Sequence, residues 1–151
     1  MNDVSVRPAL ADEVPALCRL LSELFEIEAD FSPDAEKQAR GLELLLNDEN
    51  GSSIVLVAEK NGEIIGMCSA QTVISTSEGG PAGLLEDLIV SRAHRGKGTG
   101  ARLLAAISAW GASRNISRIQ LLRDMDNAQA LDFYHTNGWN STKLVCMRKF
   151  L

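Results

Sequence analysis

The stretch from Gly83 to Leu104, GLLEDLIVSRAHRGKGTGARLL, constrains this chain more than any other. It opens on Leu84-Leu85-Glu86-Asp87-Leu88-Ile89-Val90, an apolar run long enough for a central strand and broken only by two adjacent acids. A turn rich in Arg and Gly follows. From Gly98 onward Leu103, Leu104, Ile107 and Trp110 recur at three-to-four spacing, which predicts one face of an amphipathic helix. The first turn of a helix carries unpaired N–H groups at the positive end of the dipole, so the joint between loop and helix suits an anion. Gly96, Gly98 and Gly100 keep side chains away where a ligand must touch backbone. Arg92, Arg95, Lys97 and Arg102, with no acid between them, gather positive charge on a chain whose net charge is −5. A basic knot on an acidic protein predicts a polyanionic ligand.

Spacing narrows the choice of ligand. A P-loop requires G-x-x-x-x-G-K-[ST], and the lysine of Gly96-Lys97-Gly98 is followed by glycine. The dinucleotide fingerprint G-x-G-x-x-G fails in both registers, because Ala101 follows Gly96 and Gly98, and Leu103 follows Gly98 and Gly100, where the last glycine belongs. What remains is Arg95-Gly96-Lys97-Gly98-Thr99-Gly100, the pattern R-x-x-G-x-G.

At 151 residues the chain is expected to form one domain, burying roughly 68 to 70% of its unfolded surface. The start, MNDVSVRPAL, has neither a basic segment nor a long apolar core, and no apolar run is long enough to span a membrane, so a cytoplasmic protein is expected. Cys18, Cys68 and Cys146 are scattered among apolar neighbours and read as buried structural thiols rather than disulfides or zinc ligands. A pI near 5.0 gives no reason to expect nucleic acid as a partner.

Along the chain, Val4 to Arg7 reads as a short strand closed by Pro8. Asp12 is expected to cap a helix carrying Val14, Leu17, Leu21, Leu24 and Phe25 on one face to about Glu28. A second helix is expected from Ser32, with Ala39, Leu42 and Leu46 inward. Acids Asp12, Glu13, Glu23, Glu26, Glu28, Asp30, Asp34 and Glu36 face the single base Arg19 here, either as a solvated face or as a rim that attracts a cation. Ser52 to Glu59 and Glu63 to Ser75 read as strands joined by the hairpin turn Asn61-Gly62, and a polar tip from Thr76 to Pro81 leads into the central strand. After the helix ending near Gly111, Ile116 to Leu122 alternates as a strand parallel to the central one. Asp126 or Asn127 caps a further helix that ends at Gly138, and Lys143 to Phe150 reads as a last strand.

The resulting order, β-α-α-β-β-β-α-β-α-β in a mixed α/β (α+β) sheet, together with two separate motifs, resembles the GNAT superfamily of N-acetyltransferases. The R-x-x-G-x-G loop resembles its acyl-CoA diphosphate loop. Asn127, Ala130, Phe133, Tyr134, Gly138 and Trp139 match its second motif, N-x-x-A-x-x-F-Y-x-x-x-G-W. The resemblance covers nearly the whole chain and implies acetyl-CoA as the acyl donor, with Asn127 among the cofactor-binding residues. It implies that the central strand and the strand after the crossover splay apart. The pantetheine arm would then pair with main-chain groups of Leu88, Ile89 and Val90. The diphosphate would meet the N–H groups of Arg95, Gly96, Lys97, Gly98, Thr99, Gly100 and Ala101, with Arg92, Arg95 or Lys97 reaching the nucleotide phosphates. The implied chemistry is direct attack of a primary amine, of a small molecule or a peptide, on the thioester. An alkylamine of pKa ~10.4 is almost entirely protonated at neutral pH, so a base is needed, and similar enzymes place a carboxylate at the position of Glu86. Because strand side chains alternate, Glu86 and Asp87 are not expected to share a face. Tyr134 is expected to give a proton to the leaving thiolate, and the N–H of Leu88 or Ile89 to hold the oxyanion. A rival reading is a CoA-binding regulatory module of this fold without turnover. A homodimer is compatible with the resemblance. His94 and His135 lack partners at metal-ligand spacing, and neither metal nor membrane is expected.

Overall fold

Ile54, Val55 and Val57 favour extended backbone, and they lie in β2 (Ser53–Lys60) of the computed structural model, which describes residues 3–28 and 30–151. Asn61 and Gly62 both take positive φ, 52° and 80°, the geometry of a primed hairpin turn. The turn returns the chain as β3 (Glu63–Ser75), antiparallel to β2. On the far edge of β2, β1 (Ser5–Pro8) pairs Ser5 with Glu59 and Pro8 with Leu56. Proline is tolerated there because an edge strand does not need every N–H in its ladder. The central strand β4 (Gly80–Val90) lies antiparallel to β3, and α3 (Thr99–Ser113) crosses over to the short β5 (Ile119–Leu121), parallel to β4. The sheet order is β1-β2-β3-β4-β5.

Each face of the sheet is covered by helix. Val55, Val57, Met67 and Ile89 form one core with Leu17, Leu20 and Leu21 of α1 (Val14–Ile27) and Leu42 of α2 (Ala35–Leu46). On the opposite face lie Leu103, Leu104 and Ile107 of α3, all buried, with the Cys68 thiol 3.9 Å from the Leu103 carbonyl. Burying side chains of this size stabilises by about 1.5–3 kcal/mol each, so this two-faced core holds the central strand in place.

These elements make up a compact unit reaching to Leu121, and Leu122–Leu151 form a second. The second holds α4 (Ala128–Thr136), whose first turn is capped by Asn127, its side chain accepting from the Ala130 N–H at 3.0 Å. Gly138, at φ 87°, follows the helix in the left-handed conformation expected of a helix stop.

Several expectations are corrected. Asp12 does not cap the first helix. The chain enters it through a 3₁₀ turn (Ala11–Glu13), in which the Glu13 carboxylate accepts from the Leu10 N–H at 2.7 Å and pairs with Arg7. That contact with Arg7 holds the Glu13 carboxyl below its ordinary range. The second helix starts later than expected because Asp34, not Ser32, caps it, accepting from the Lys37 N–H at 3.1 Å. Its buried face includes Gln38, which donates to the Cys18 carbonyl and Ser22 Oγ. Gly80 and Pro81 belong to β4 rather than to the polar tip, and β5 is shorter than Ile116 to Leu122.

No strand forms over residues 143–150 in the second unit, so the final β of the expected order is not found among the described residues. Leu144, Val145, Met147 and Phe150 are exposed there, and an apolar run alone does not make a strand without a ladder partner. Cys146 is exposed with them, against expectation, whereas Cys68 is buried and Cys18 half-buried.

A Cβ added at Gly83 would stand 2.9 Å from Ile119 Cγ1, so β4 and β5 approach closely only because position 83 lacks a side chain. Gly83→Ala is expected to destabilise the protein by about 1–3 kcal/mol through overpacking, read as a lower midpoint in urea with unchanged slope. An unchanged midpoint would show that the strands part without cost.

Candidate functional site

The parallel ladder between β4 and β5 consists of Gly83 with Ile119, Leu84 with Gln120 and Leu85 with Leu121, and it stops there. One residue later β4 bulges: Ser69 opposes Asp87 and Ala70 opposes Leu85, so Glu86 has no residue opposite it. Beyond the bulge Leu88, Ile89 and Val90 remain paired to Cys68, Met67 and Gly66 of β3. Among the described residues no strand pairs with their other edge, which leaves a short run of β4 backbone open on the β5 side. The ladder ends where β5 itself ends, at Leu121.

Immediately after Val90, the Ser91 N–H donates to the Ile65 carbonyl at 2.8 Å, and a 3₁₀ turn (Arg92–His94) follows. His94 Nδ1 and Ser91 Oγ, 2.8 Å apart, close this turn, giving that histidine a structural contact. Gly96 and Gly98 take φ of 71° and 83°, and Gly98 stands at the N-cap of α3 without any side-chain cap. A Cβ at either position would meet nothing within 4 Å, so backbone conformation, not crowding inside the chain, is what calls for glycine here. Among the described residues, no backbone carbonyl accepts from the N–H groups of Gly96, Lys97, Gly98, Thr99, Gly100 or Ala101, and the first helical donor that this turn satisfies is Arg102, to Gly98, at 3.1 Å. Six consecutive donors at the positive end of a helix, beside an open strand edge, fit a diphosphate attached to an extended arm.

The basic side chains around this loop are used within the chain. Arg95 Nε donates to the Val90 carbonyl at 2.8 Å and its guanidinium lies 3.5 Å from Glu23. Lys97 Nζ donates to the Ala93 carbonyl at 3.1 Å, and Arg102 to the Val4 carbonyl at 2.7 Å. Glu23, near the end of α1, also accepts from the Arg92 N–H at 3.2 Å. The acid-rich early helices are therefore not merely a solvated face: Glu13 braces Arg7, Asp34 caps α2 and Glu23 holds the basic loop.

The two acids at the bulge differ. Glu86 is exposed. Asp87 shares with Ile89 the face covered by α1, is half-buried, and its Oδ2 accepts from Ser69 Oγ at 2.6 Å, while Ser69 itself is fully buried. Burial pushes the Asp87 carboxyl up to about 6, the Ser69 bond opposes that shift, and the negative charge of Glu86 adds to it. The bulge falls at Glu86, between two acids whose exposure differs.

In the second unit, Tyr134 packs edge-on to Phe133 and Trp139, with ring centroids 5.3 and 5.9 Å apart. Its carbonyl accepts from the N–H groups of Asn137 and Trp139 at 3.1 and 3.0 Å, so the helix stop at Gly138 and the tyrosine are built as one knot. His135 Nε2 lies 3.3 Å from Ser141 Oγ.

The sequence names the loop, β4 and Tyr134 as candidates; it does not show the Ser69–Asp87 hydrogen bond or the Glu23–Arg95 pair, because each joins residues far apart in the chain. A recess of about 280 Å³ lined by Leu44, Leu45, Asp48, Ser52, Ser53, Gln71 and Thr72 is a separate feature. Gln71 and Thr72 pair with Leu84 and Gly83, which places it toward the end of the sheet opposite Val90.

Residues 15–139 match the acetyltransferase (GNAT) family. An uncharacterized N-acetyltransferase of Bacillus subtilis, YhfO, is 28% identical over 138 residues, covering 90% of this chain and 89% of that protein. An aminoglycoside N(6')-acetyltransferase type 1 of Stenotrophomonas maltophilia is 27% identical over 116 residues, 75% of each chain. Among solved structures, an aminoglycoside N-acetyltransferase, AAC(6')-Iy in complex with CoA, superposes with a TM-score of 0.84 at 16% identity over 99% of this chain and 96% of that one, a likeness of fold. The chain belongs to the GNAT family of acetyltransferases and is an N-acetyltransferase.

Proposed function

We propose that this enzyme moves the acetyl group to a primary amine of a small molecule, by direct attack of the neutral amine on the thioester. The observation that carries the reading is the run of unpaired N–H groups from Gly96 to Ala101 at the head of α3, continuous with the open β4 edge from Leu88 to Val90. In this reading the loop donors hold the diphosphate and Arg92 adds charge at the rim. Arg95 and Lys97, tied to their own carbonyls, shape the loop. Leu88, Ile89 and Val90 present main-chain groups to the pantetheine arm, and a free N–H of Leu88 or Ile89 takes the oxyanion. Asn127 sets the start of the helix that carries Tyr134 and belongs to the cofactor-binding set.

Tyr134 serves as proton donor to the departing thiolate: a phenol near ~10 and a thiol near ~8.5 are close enough for transfer as the C–S bond breaks. The acceptor ammonium loses its proton at the bulge of β4, where Glu86 offers an exposed carboxylate. A small cationic acceptor is supported by the acids of α1 and α2 and by two relatives whose names give aminoglycosides as what they acetylate.

Acetyl-CoA is expected to raise the melting temperature, and ATP or NAD not to; equal shifts would count against the assignment of the loop. Gly98→Asp places a carboxylate among the donors and is expected to abolish CoA binding in calorimetry. Gly98→Ala, which carries the same left-handed strain without charge, is expected to weaken it less, and equal losses would reduce the effect to loop distortion. Tyr134→Phe is expected to lower kcat by up to ~10² while leaving CoA affinity intact, so an unchanged kcat would remove the tyrosine from the proton path.

A further inference from the structure

We propose that Asp87, held by the buried Ser69 hydroxyl, is the carboxylate that takes the first proton from the acceptor ammonium, and that exposed Glu86 passes that proton on to solvent. The inference rests on the acetyl-transfer reading and assigns a residue within it.

The bulge is what separates the two acids. It leaves Glu86 unpaired and outside, and it sets Asp87 directly opposite Ser69, on the face that α1 covers, at the point where β4 and β5 part. Ser69 is fully buried, and its hydroxyl donates to Asp87 Oδ2 at 2.6 Å, which fixes the carboxyl and leaves Oδ1 as the atom to receive a proton. A base must be oriented as well as basic, and of the two acids only Asp87 has a side-chain partner that orients it. The balance is complete without a further reactant. The nitrogen loses two protons and gains one bond to the acetyl carbon as the C–S bond breaks. The first proton goes to Asp87 and out through Glu86. The second, by way of solvent, replaces the one that Tyr134 gives to sulfur.

Two groups act on the Asp87 carboxyl, Ser69 from β3 and Glu86 from β4, of opposite effect; the Cys68 thiol of β3, itself pushed up by burial and by Asp87, is neutral. Glu23 of α1 is taken up by Arg95 and the Arg92 N–H. Ser69 favours the ionised form and Glu86 opposes it, so their removal moves the titration in opposite directions.

The test uses the full chain with acetyl-CoA and whichever amine, from a panel of alkyl diamines and aminoglycosides, releases thiol fastest, following kcat/KM for the amine from pH 5 to 9. The parent is expected to lose activity as pH falls through about 6, the region in which Asp87 takes up its proton. Asp87→Asn is expected to lower kcat by ~10²-fold or more and to abolish that acid limb. Ser69→Ala is expected to move the limb to higher pH, and Glu86→Gln to move it to lower pH with a smaller loss of rate.

Folding of Asp87→Asn is checked by its melting temperature. The raised folded pKa means that stability from this group is present below its unfolded value near ~3.9 and lost as pH rises through about 6, so at pH 8 the variant is expected to melt no lower than the parent. A folded Asp87→Asn enzyme with parental kcat would overturn the inference, as would a Ser69→Ala enzyme whose acid limb stays in place. An Asp87→Asn chain that melts well below the parent at pH 8 would show a structural carboxylate and overturn it too. Binding of acetyl-CoA without acetylation of any amine would instead overturn the acetyl-transfer reading itself.

Discussion

Everything at the site follows from the point at which β4 parts from β5. Pairing with β3 on one side and β5 on the other satisfies both edges of β4, and on the β5 side that pairing ends at Leu85 and Leu121. The adjoining bulge at Glu86 explains how β4 leaves one neighbour while keeping the other: the extra residue bends the strand, and the ladder with β3 resumes at Asp87. Unpaired main chain is costly inside a protein and useful at a binding cleft, where an extended ligand makes the missing bonds.

The same economy of backbone groups governs the loop. Gly96 and Gly98, in left-handed conformations, turn the chain from the end of the strand into α3 with no side chain at the cap, so the donors that usually find a Ser, Asp or Asn remain open. The cations are of secondary importance to this geometry. Arg95 and Lys97 are bound to carbonyls of the loop they stabilise, and Glu23 anchors that loop to α1. In the proposed reading, charge brings the diphosphate to the loop and backbone holds it.

Much of this was legible in the sequence, and the exceptions share a cause. The Asn61-Gly62 hairpin, the glycine loop entering α3 and the Asn127 cap are local: each is written in neighbouring residues whose conformational preferences agree with the fold. The bulge was not legible, because it depends on how β4 pairs with β3, which the strand's own residues do not state. The Ser69–Asp87 bond and the Glu23–Arg95 pair join residues distant in sequence, with no periodic signature. At the other end, Lys143 to Phe150 carries the apolar run Leu144 to Met147, yet among the described residues the second unit offers it no ladder partner, and Cys146 is exposed with it. The caps of the first two helices went astray for a smaller reason. Asp12 and Ser32 are good cap residues, but Glu13 and Asp34 made the bonds.

The most direct measurement of the central claim is an amide chemical-shift titration of the isotope-labelled protein with coenzyme A. If the diphosphate rests on main-chain donors, the largest changes fall on the N–H signals of Gly96 to Ala101, with a second set at Leu88 to Val90. If those signals hold still while the amides around Leu45, Ser53 and Gln71 move, the cofactor sits in the other recess and the account of this loop is wrong.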